Sequence, residues 1–442
     1  MKELMAFQKE ALSAISNHNY ALLALDMGLG KTFTSLKWLE NKTDIPTIIL
    51  VQSSKLKDWE HEVGELYDGE DIVVLKTVAM AYEFFKKIQN NFKKIIIFSY
   101  NIFVALNNKD RKLFDNLKLE WNLIIDESQV LKNHSSKISK SCLKLQKHLK
   151  HLLLLTGDPI SSGYKDLFVQ MKMLKCFEND EYKWSEFVND FCVTRILSGT
   201  SIPLITGYKN TEYLLDLLKK KSFFLKTEQA LKLPTKQFID MIIPSSEYYS
   251  EMKDEKILRI ENELIVADSS LKLLTSLRQI NSGFVYNEGK KMPLNETKKE
   301  FVSKIINDGN WIIFYNFNAE LDSIVELAKE KNKKLIQING SKNDFDPNVN
   351  YSNSIVAIQY SSGARGIDGL QKCFNKTIYW SPTLSGEMFR QSIKRTHRIG
   401  QEKDCVYYLL KVEKTIDDKI YKCLNQSKEY SLKMFEKDIK EN

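Results

Sequence analysis

Short aliphatic runs punctuate the chain and recur in two sets. The first set is Ala21 to Leu25, Thr47 to Val51, Ile72 to Leu75, Ile95 to Phe98, Leu123 to Ile125 and Leu152 to Leu155. None of them alternates polar with apolar residues. Each therefore predicts a strand buried on both faces, as in a parallel sheet covered by helices. Met1 to Ser16 reads as a helix, with Leu4, Phe7, Leu12 and Ile15 roughly on one face, and Phe33 to Leu39 as another. From Gly163 to about Ser282 the runs stop and helical periodicity takes over, with Leu271 to Ile280 as a further helix. The polar stretch Tyr286 to Lys299, containing Pro293, reads as a hinge. The second set then follows: Trp311 to Tyr315, Leu335 to Ile338, Ile355 to Ile358, Thr377 to Trp380 and Val406 to Leu410. The pattern predicts an α/β chain of two lobes with parallel sheets and a helical insertion between them. The expected boundaries are 1–162, 163–285 and 286–442.

Composition changes this picture little. With 442 residues, two to three domains and a sizeable core are expected. A hydrophobic share of 43% with 28% charged residues is ordinary for a soluble globular protein. The net charge of +8 is compatible with a polyanion partner without requiring one. Cys142, Cys176, Cys192, Cys373, Cys405 and Cys423 form no C-x-x-C pair, which argues against a zinc ribbon and a disulfide framework. No apolar run approaches a membrane span, and Met1 to Glu10 lacks a signal-peptide core, so a cytoplasmic protein without a membrane partner is expected.

Candidate chemistry starts at Leu25-Asp26-Met27-Gly28-Leu29-Gly30-Lys31-Thr32, between a strand and a helix. In that context backbone N–H groups can wrap a phosphate and the helix N-terminus favours negative charge. Lys31 would reach the β- and γ-phosphates, and the Thr32 hydroxyl would hold Mg²⁺. Leu25 stands where the usual G-x-x-x-x-G-K-[ST] pattern has its first Gly, and a glycine turn with an accidental Gly-Lys-Thr is the plainer alternative. The run Leu123 to Ile125 ends in Asp126-Glu127-Ser128-Gln129, an acidic pair where an α/β sheet places its ligands. Asp126 could hold Mg²⁺, directly or through water, and Glu127 could polarise the attacking water; a solvated acidic turn is the alternative. Thr156-Gly157-Asp158-Pro159 would lie beside that pair and could sense a γ-phosphate. Lys137, Lys140, Lys144 and Lys147 recur at helical spacing and read as a phosphate-facing stripe or a solvated face.

In the second lobe, Ser361 to Asp368 follows a strand, and its small residues would let backbone approach a ligand. In Gln391 to Gln401, Arg395 and Arg398 are three apart and on a helix would point the same way. Two such guanidinium groups suit a transferring γ-phosphoryl group; a surface basic cluster is the alternative.

Taken in order, these motifs resemble superfamily 2 helicase-type ATPases, and within them the SWI/SNF-type DNA translocases, over nearly the whole chain. Leu4 to Gln8 is similar to the motif whose glutamine reads adenine, and Asp26 to Thr32 to the family's form of motif I. Asp126 to Gln129 stands in for its DEAH-type box, with Ser128 and Gln129 in place of Ala-His, and Leu155 to Ile160 is like motif III, with Asp158 where Thr is usual. Thr47 to Trp59 and Ile95 to Tyr100 resemble motifs Ia and Ib, Leu277 to Ile280 the linker helix, Ser361 to Leu370 motif V, and Gln391, Arg395, Arg398 and Gln401 motif VI. Phe224 to Thr227 lacks the paired arginines often found there.

The resemblance implies two RecA-like lobes, with ATP and Mg²⁺ as cofactors. ATP would be held by Gln8, by Met27, Gly28, Leu29, Gly30, Lys31 and Thr32, and by Gly366, Asp368 and Gln391. Thr32 and Asp126 would hold the metal; Lys31, Asp126, Glu127, Arg395 and Arg398 would be catalytic. It implies DNA as partner, duplex favoured, with a nuclease or a replication or recombination protein as a further one, in a bacterial or phage-infected host cell. The alternatives are an RNA-directed helicase of the same superfamily, and a nucleic-acid-binding recruiter with a weak ATP site.

Overall fold

Every aliphatic run named above becomes a strand. The computed structural model describes residues 3–88, 92, 94–160, 163–196, 203–230, 232–260, 263–363, 367–426 and 428–440. The chain divides into two compact units, Met1–Leu231 and Lys232–Asn442.

In the first unit, helix α1 (Ala6–Ser16) precedes strand β1 (Tyr20–Leu25), and helix α2 (Lys31–Leu39) follows it. The other strands are β2 (Thr47–Val51), β3 (Ile72–Leu75), β4 (Ile95–Ser99), β5 (Trp121–Ile125), β6 (Leu149–Thr156) and β7 (Ser222–Leu225). They form one parallel sheet in the order β3-β4-β2-β5-β6-β1-β7. β2, β4 and β5 are buried along their whole length, as expected of strands covered on both faces. The sheet brings the ends of β5, β6 and β1 side by side, which gathers three motifs far apart in sequence.

The second unit opens with β8 (Lys236–Ile243) and contains helix α3 (Ser270–Ile280), β9 (Trp311–Tyr315), β10 (Lys334–Ile338), β11 (Ser354–Gln359), β12 (Lys376–Tyr379), helix α4 (Gly386–Ile393) and β13 (Cys405–Val412). Its sheet is also parallel, in the order β8-β13-β12-β9-β11-β10.

Two expectations need correction. Residues 163–285 are not one helical insertion. They divide between the units at Leu231 and Lys232, and they supply β7 to one sheet and β8 to the other. Both are edge strands with much of their surface exposed, so they lack the continuous aliphatic run that marked the others. The stretch from Tyr286 is not a hinge either. Phe284–Asn287 pairs with Lys290–Pro293 as an antiparallel hairpin inside the second unit, anchored by buried Phe284 and Val285. Among the described residues no helix is long and apolar enough to cross a membrane.

Candidate nucleotide site

The loop between β1 and α2 carries Gly28 at φ +88° and Gly30 at φ +75°, both left-handed. Gln8, near the start of α1, is buried against it. Its Oε1 accepts from the Met5 N–H (2.9 Å), and its Nε2 donates to the Leu29 carbonyl (3.0 Å). A Cβ on Gly30 would lie 2.3 Å from Gln8 Nε2, which with the left-handed φ favours glycine there. Leu25 is fully buried as the last residue of β1, and its carbonyl accepts from Lys31 Nζ (2.9 Å). Lys31 and Thr32 open α2, while Met27 and Gly28 are partly exposed in the loop. A Cβ on Gly157, at the end of β6, would have Lys31 Nζ, Leu25 O and Met27 N as neighbours, each at 3.8 Å.

Asp126 follows β5. Its Oδ2 accepts from Trp59 Nε1 (2.9 Å) and its Oδ1 from the Glu127 N–H (3.0 Å). Burial, and then the charge of Glu127, push the Asp126 carboxyl up to about 6, against the Trp59 hydrogen bond and the charge of Lys31. Glu127 is left-handed (φ 49°), an uncommon conformation for a non-glycine residue and one worth reading functionally. A relay runs from Glu127 to the turn after β6. Gln129 Nε2 donates to Glu127 Oε2 (2.8 Å), and Gln129 Oε1 accepts from Thr156 Oγ1 (2.8 Å). Thr156 Oγ1 in turn accepts from the Asp158 N–H (3.0 Å). A second arm passes from Ser128 Oγ to Gln170 Oε1 (3.0 Å), and from Gln170 Nε2 to the Pro159 carbonyl (3.0 Å). Both departures from Ala-His thus connect the acidic pair to the Thr156–Pro159 turn.

The second unit carries the arginines. α4 ends at Ile393, so Arg395 and Arg398 lie on the turns that follow it and not on a helix face. The Ile393 carbonyl accepts from Tyr407 Oη (3.0 Å) as well as from the His397 N–H (3.1 Å), which fixes that turn against β13. The two guanidinium groups still converge, on Asp368. Arg398 NH1 donates to Asp368 Oδ1 at 2.6 Å, and Arg395 NH1 is 3.8 Å from the same oxygen. They differ in burial. Arg395 is 2% exposed and donates to the Ile367 carbonyl (2.7 Å). Arg398 keeps a buried Nε with no hydrogen-bond partner among the described residues. Gln391 donates to Glu387 Oε1 (3.0 Å), and its buried Oε1 is likewise unpartnered. Gly366 lies outside the described residues.

A profile of the SNF2-related domain matches residues 8–283. The chain belongs to the SNF2-related domain family. This SNF2-related chain is 25% identical over 476 aligned positions to an uncharacterized ATP-dependent helicase of Mycoplasma genitalium, covering 99% of this chain and 43% of that protein. It is 24% identical over 453 positions to the human DNA annealing helicase and endonuclease ZRANB3, covering 96% of this chain and 40% of that one. It thus spans about two fifths of the length of these curated relatives. Among solved structures it is similar to the Sulfolobus solfataricus SWI2/SNF2 ATPase core in complex with dsDNA, at 21% identity and a TM-score of 0.45, covering 96% of this chain and 91% of that one.

Trp59 and Gln129 hold the acidic pair directly and Gln170 does so through Ser128, roles that no motif in the sequence announces. Trp59 had a signal, as the one indole in the short, mostly polar helix Leu56–Gly64. Lys137, Lys140, Lys144 and Lys147 are exposed, and Lys147 pairs with Asp115 at 3.0 Å, which fits the solvated-face reading.

Proposed function

We propose that this chain hydrolyses ATP in response to DNA and converts each cycle into movement along the duplex. One observation carries the reading: Lys31, Asp126, Glu127 and the Thr156–Gly157 turn are gathered at the ends of β1, β5 and β6 of one sheet. The left-handed Gly28 and Gly30 turn the chain into the N-terminus of α2, where free backbone N–H groups suit a triphosphate. The Thr32 hydroxyl and the Asp126 carboxylate are hard oxygen donors that suit Mg²⁺, which takes few protein ligands and completes its shell with phosphate and water. When bound, the metal would neutralise charge on the phosphates.

In this reading Gln8 positions the loop and the adenine, and Lys31 leaves the Leu25 carbonyl for the phosphates. Glu127, aimed by Gln129, orients the attacking water. Arg398 has the spare donor for developing negative charge, and Arg395 holds the turn that presents it. Asp368 then acts as the counter-charge that Arg398 must leave, a different role from the nucleotide contact expected from sequence. DNA would be gripped through its phosphates, giving weak sequence preference and strong salt dependence.

The test is ATP turnover with duplex DNA, single-stranded DNA and RNA. The proposal expects the largest stimulation by duplex DNA. Stimulation by RNA alone would favour the RNA-directed reading, and absence of turnover with every nucleic acid would favour the recruiter.

A further inference from the structure

Three indoles are fully buried in the first unit, those of Trp38, Trp59 and Trp121, and they are not equivalent. The Nε1 atoms of Trp38 and Trp121 have no hydrogen-bond partner among the described residues. These two rings serve as core, and their N–H groups go unused. Trp59 alone of the three uses its N–H, and directs it to Asp126 Oδ2 (2.9 Å). The sheet brings these two residues together. β2 pairs with β5, Leu50 opposite Ile125, and the Asp126 N–H donates to the Leu50 carbonyl (3.0 Å). β2 ends one residue later, and the chain turns through Ser53–Lys55 into the helix Leu56–Gly64, whose buried residues are Trp59 and Val63. Asp126 is therefore held twice by the same segment, through its backbone at Leu50 and through its side chain at Trp59.

We infer that Trp59 is a positioning residue whose indole N–H presets the Asp126 carboxylate for a divalent cation at the nucleotide site. The inference rests on the ATPase reading above, in which Asp126 helps to hold the metal. Its physical basis is orientation. Oδ2 accepts from Trp59 and Oδ1 from the Glu127 N–H (3.0 Å), so rotation of the carboxylate about Cβ–Cγ would break both bonds. Each oxygen keeps a second lone pair with which to accept. Neither neighbouring lysine substitutes for the indole: Lys31 Nζ donates to the Leu25 carbonyl, and Lys55 Nζ to Asp58 Oδ2 (2.7 Å). Among the described residues Trp59 is the one side chain that hydrogen-bonds Asp126. Partners that orient a metal's ligands in this way typically carry about ten- to a hundredfold of its affinity. Trp59 acts through Asp126, so its loss should weaken the metal and leave the nucleotide loop able to bind.

The deciding experiment removes the donor and keeps the ring. Trp59 of the full chain is replaced by 3-benzothienylalanine, which has the shape of tryptophan with sulfur in place of the N–H. Mn²⁺ stands in for Mg²⁺, and its affinity is read from the electron paramagnetic resonance signal of the free ion, with protein in excess over a non-hydrolysable ATP analogue. Binding of a fluorescent ATP analogue in EDTA is the control. The inference predicts that Mn²⁺ affinity falls about tenfold, and no less than about threefold, while analogue binding without metal stays within about twofold. A smaller fall in Mn²⁺ affinity overturns it. An equal fall in both measurements also overturns it, because the effect would then lie in the loop. Trp59→Phe lacks the donor too and must show the same loss of Mn²⁺. A loss in Trp59→Phe alone would assign the effect to packing and overturn the inference. A parent chain that binds Mn²⁺ no better than the analogue does by itself refutes the ATPase reading, a different result from any of these.

Discussion

Replacing Gly30 by Ala perturbs the nucleotide loop at one atom, and its cost follows from the structure. Gly30 sits at φ +75°, where an L-residue is strained by about 1–2 kcal/mol. The new Cβ would also stand 2.3 Å from Gln8 Nε2. Gln8 is a side chain and can swing away, but only by giving up its hydrogen bond to the Leu29 carbonyl, worth about 1 kcal/mol. Together these amount to about 2–3 kcal/mol of lost stability in the first unit. The assay is urea unfolding of Gly30→Ala, Gln8→Ala and the double variant. In the Gln8→Ala background the clash is gone, so the Gly30 substitution should cost only the backbone part, about 1–2 kcal/mol. Equal costs in the two backgrounds, or a cost below about 0.5 kcal/mol in the parent, would refute the idea that Gln8 closes over this loop.

Other substitutions separate positioning from chemistry. Gln129→Leu cuts the link between Glu127 and Thr156, and should lower kcat about tenfold or more with ATP affinity unchanged, as read by steady-state kinetics. Arg398→Ala should lower kcat about a thousandfold, in the range of a lost arginine finger, whereas Arg395→Ala should in addition destabilise the second unit by about 1–3 kcal/mol, because the buried Ile367 carbonyl loses its donor. Thermal unfolding of the two variants checks the contrast. Asp417→Ala should destabilise the second unit by about 3–5 kcal/mol in the same measurement, since it strands the buried Lys298, whose Nζ lies 3.8 Å from the carboxylate.

Wherever burial on both faces decided the outcome, the fold was legible. β2, β4 and β5 are mostly aliphatic because every one of their positions is buried. β7 and β8 were illegible for the converse reason. Each lies at a sheet edge, β7 with no fully buried position and β8 with only its last one buried, so Lys236-Gln237-Phe238 carries no run to read. The site divides the same way. Gly28, Gly30, Lys31 and Asp126 could be singled out as candidates because phosphate and metal chemistry asks for particular residue types at close spacing, and the fold gathers them at neighbouring strand ends. Gln129 could not, because what matters is where its amide lies between Glu127 and Thr156. Only the adjacency of β5 and β6 brings those two residues within reach of one side chain. Arg395 and Arg398 were legible as a pair but not as unequal partners. Their difference arises from Tyr407, which fixes the turn after Ile393, and from the Ile367 carbonyl that Arg395 reaches.

Steady-state ATP hydrolysis by the parent chain and by Lys31→Ala, with and without duplex DNA, decides whether this chain is a DNA-driven ATPase. Turnover in the parent should rise with duplex DNA, and Lys31→Ala should show none above background under either condition. Equal turnover in the two proteins, or a parent indifferent to DNA, would refute a DNA-driven ATPase.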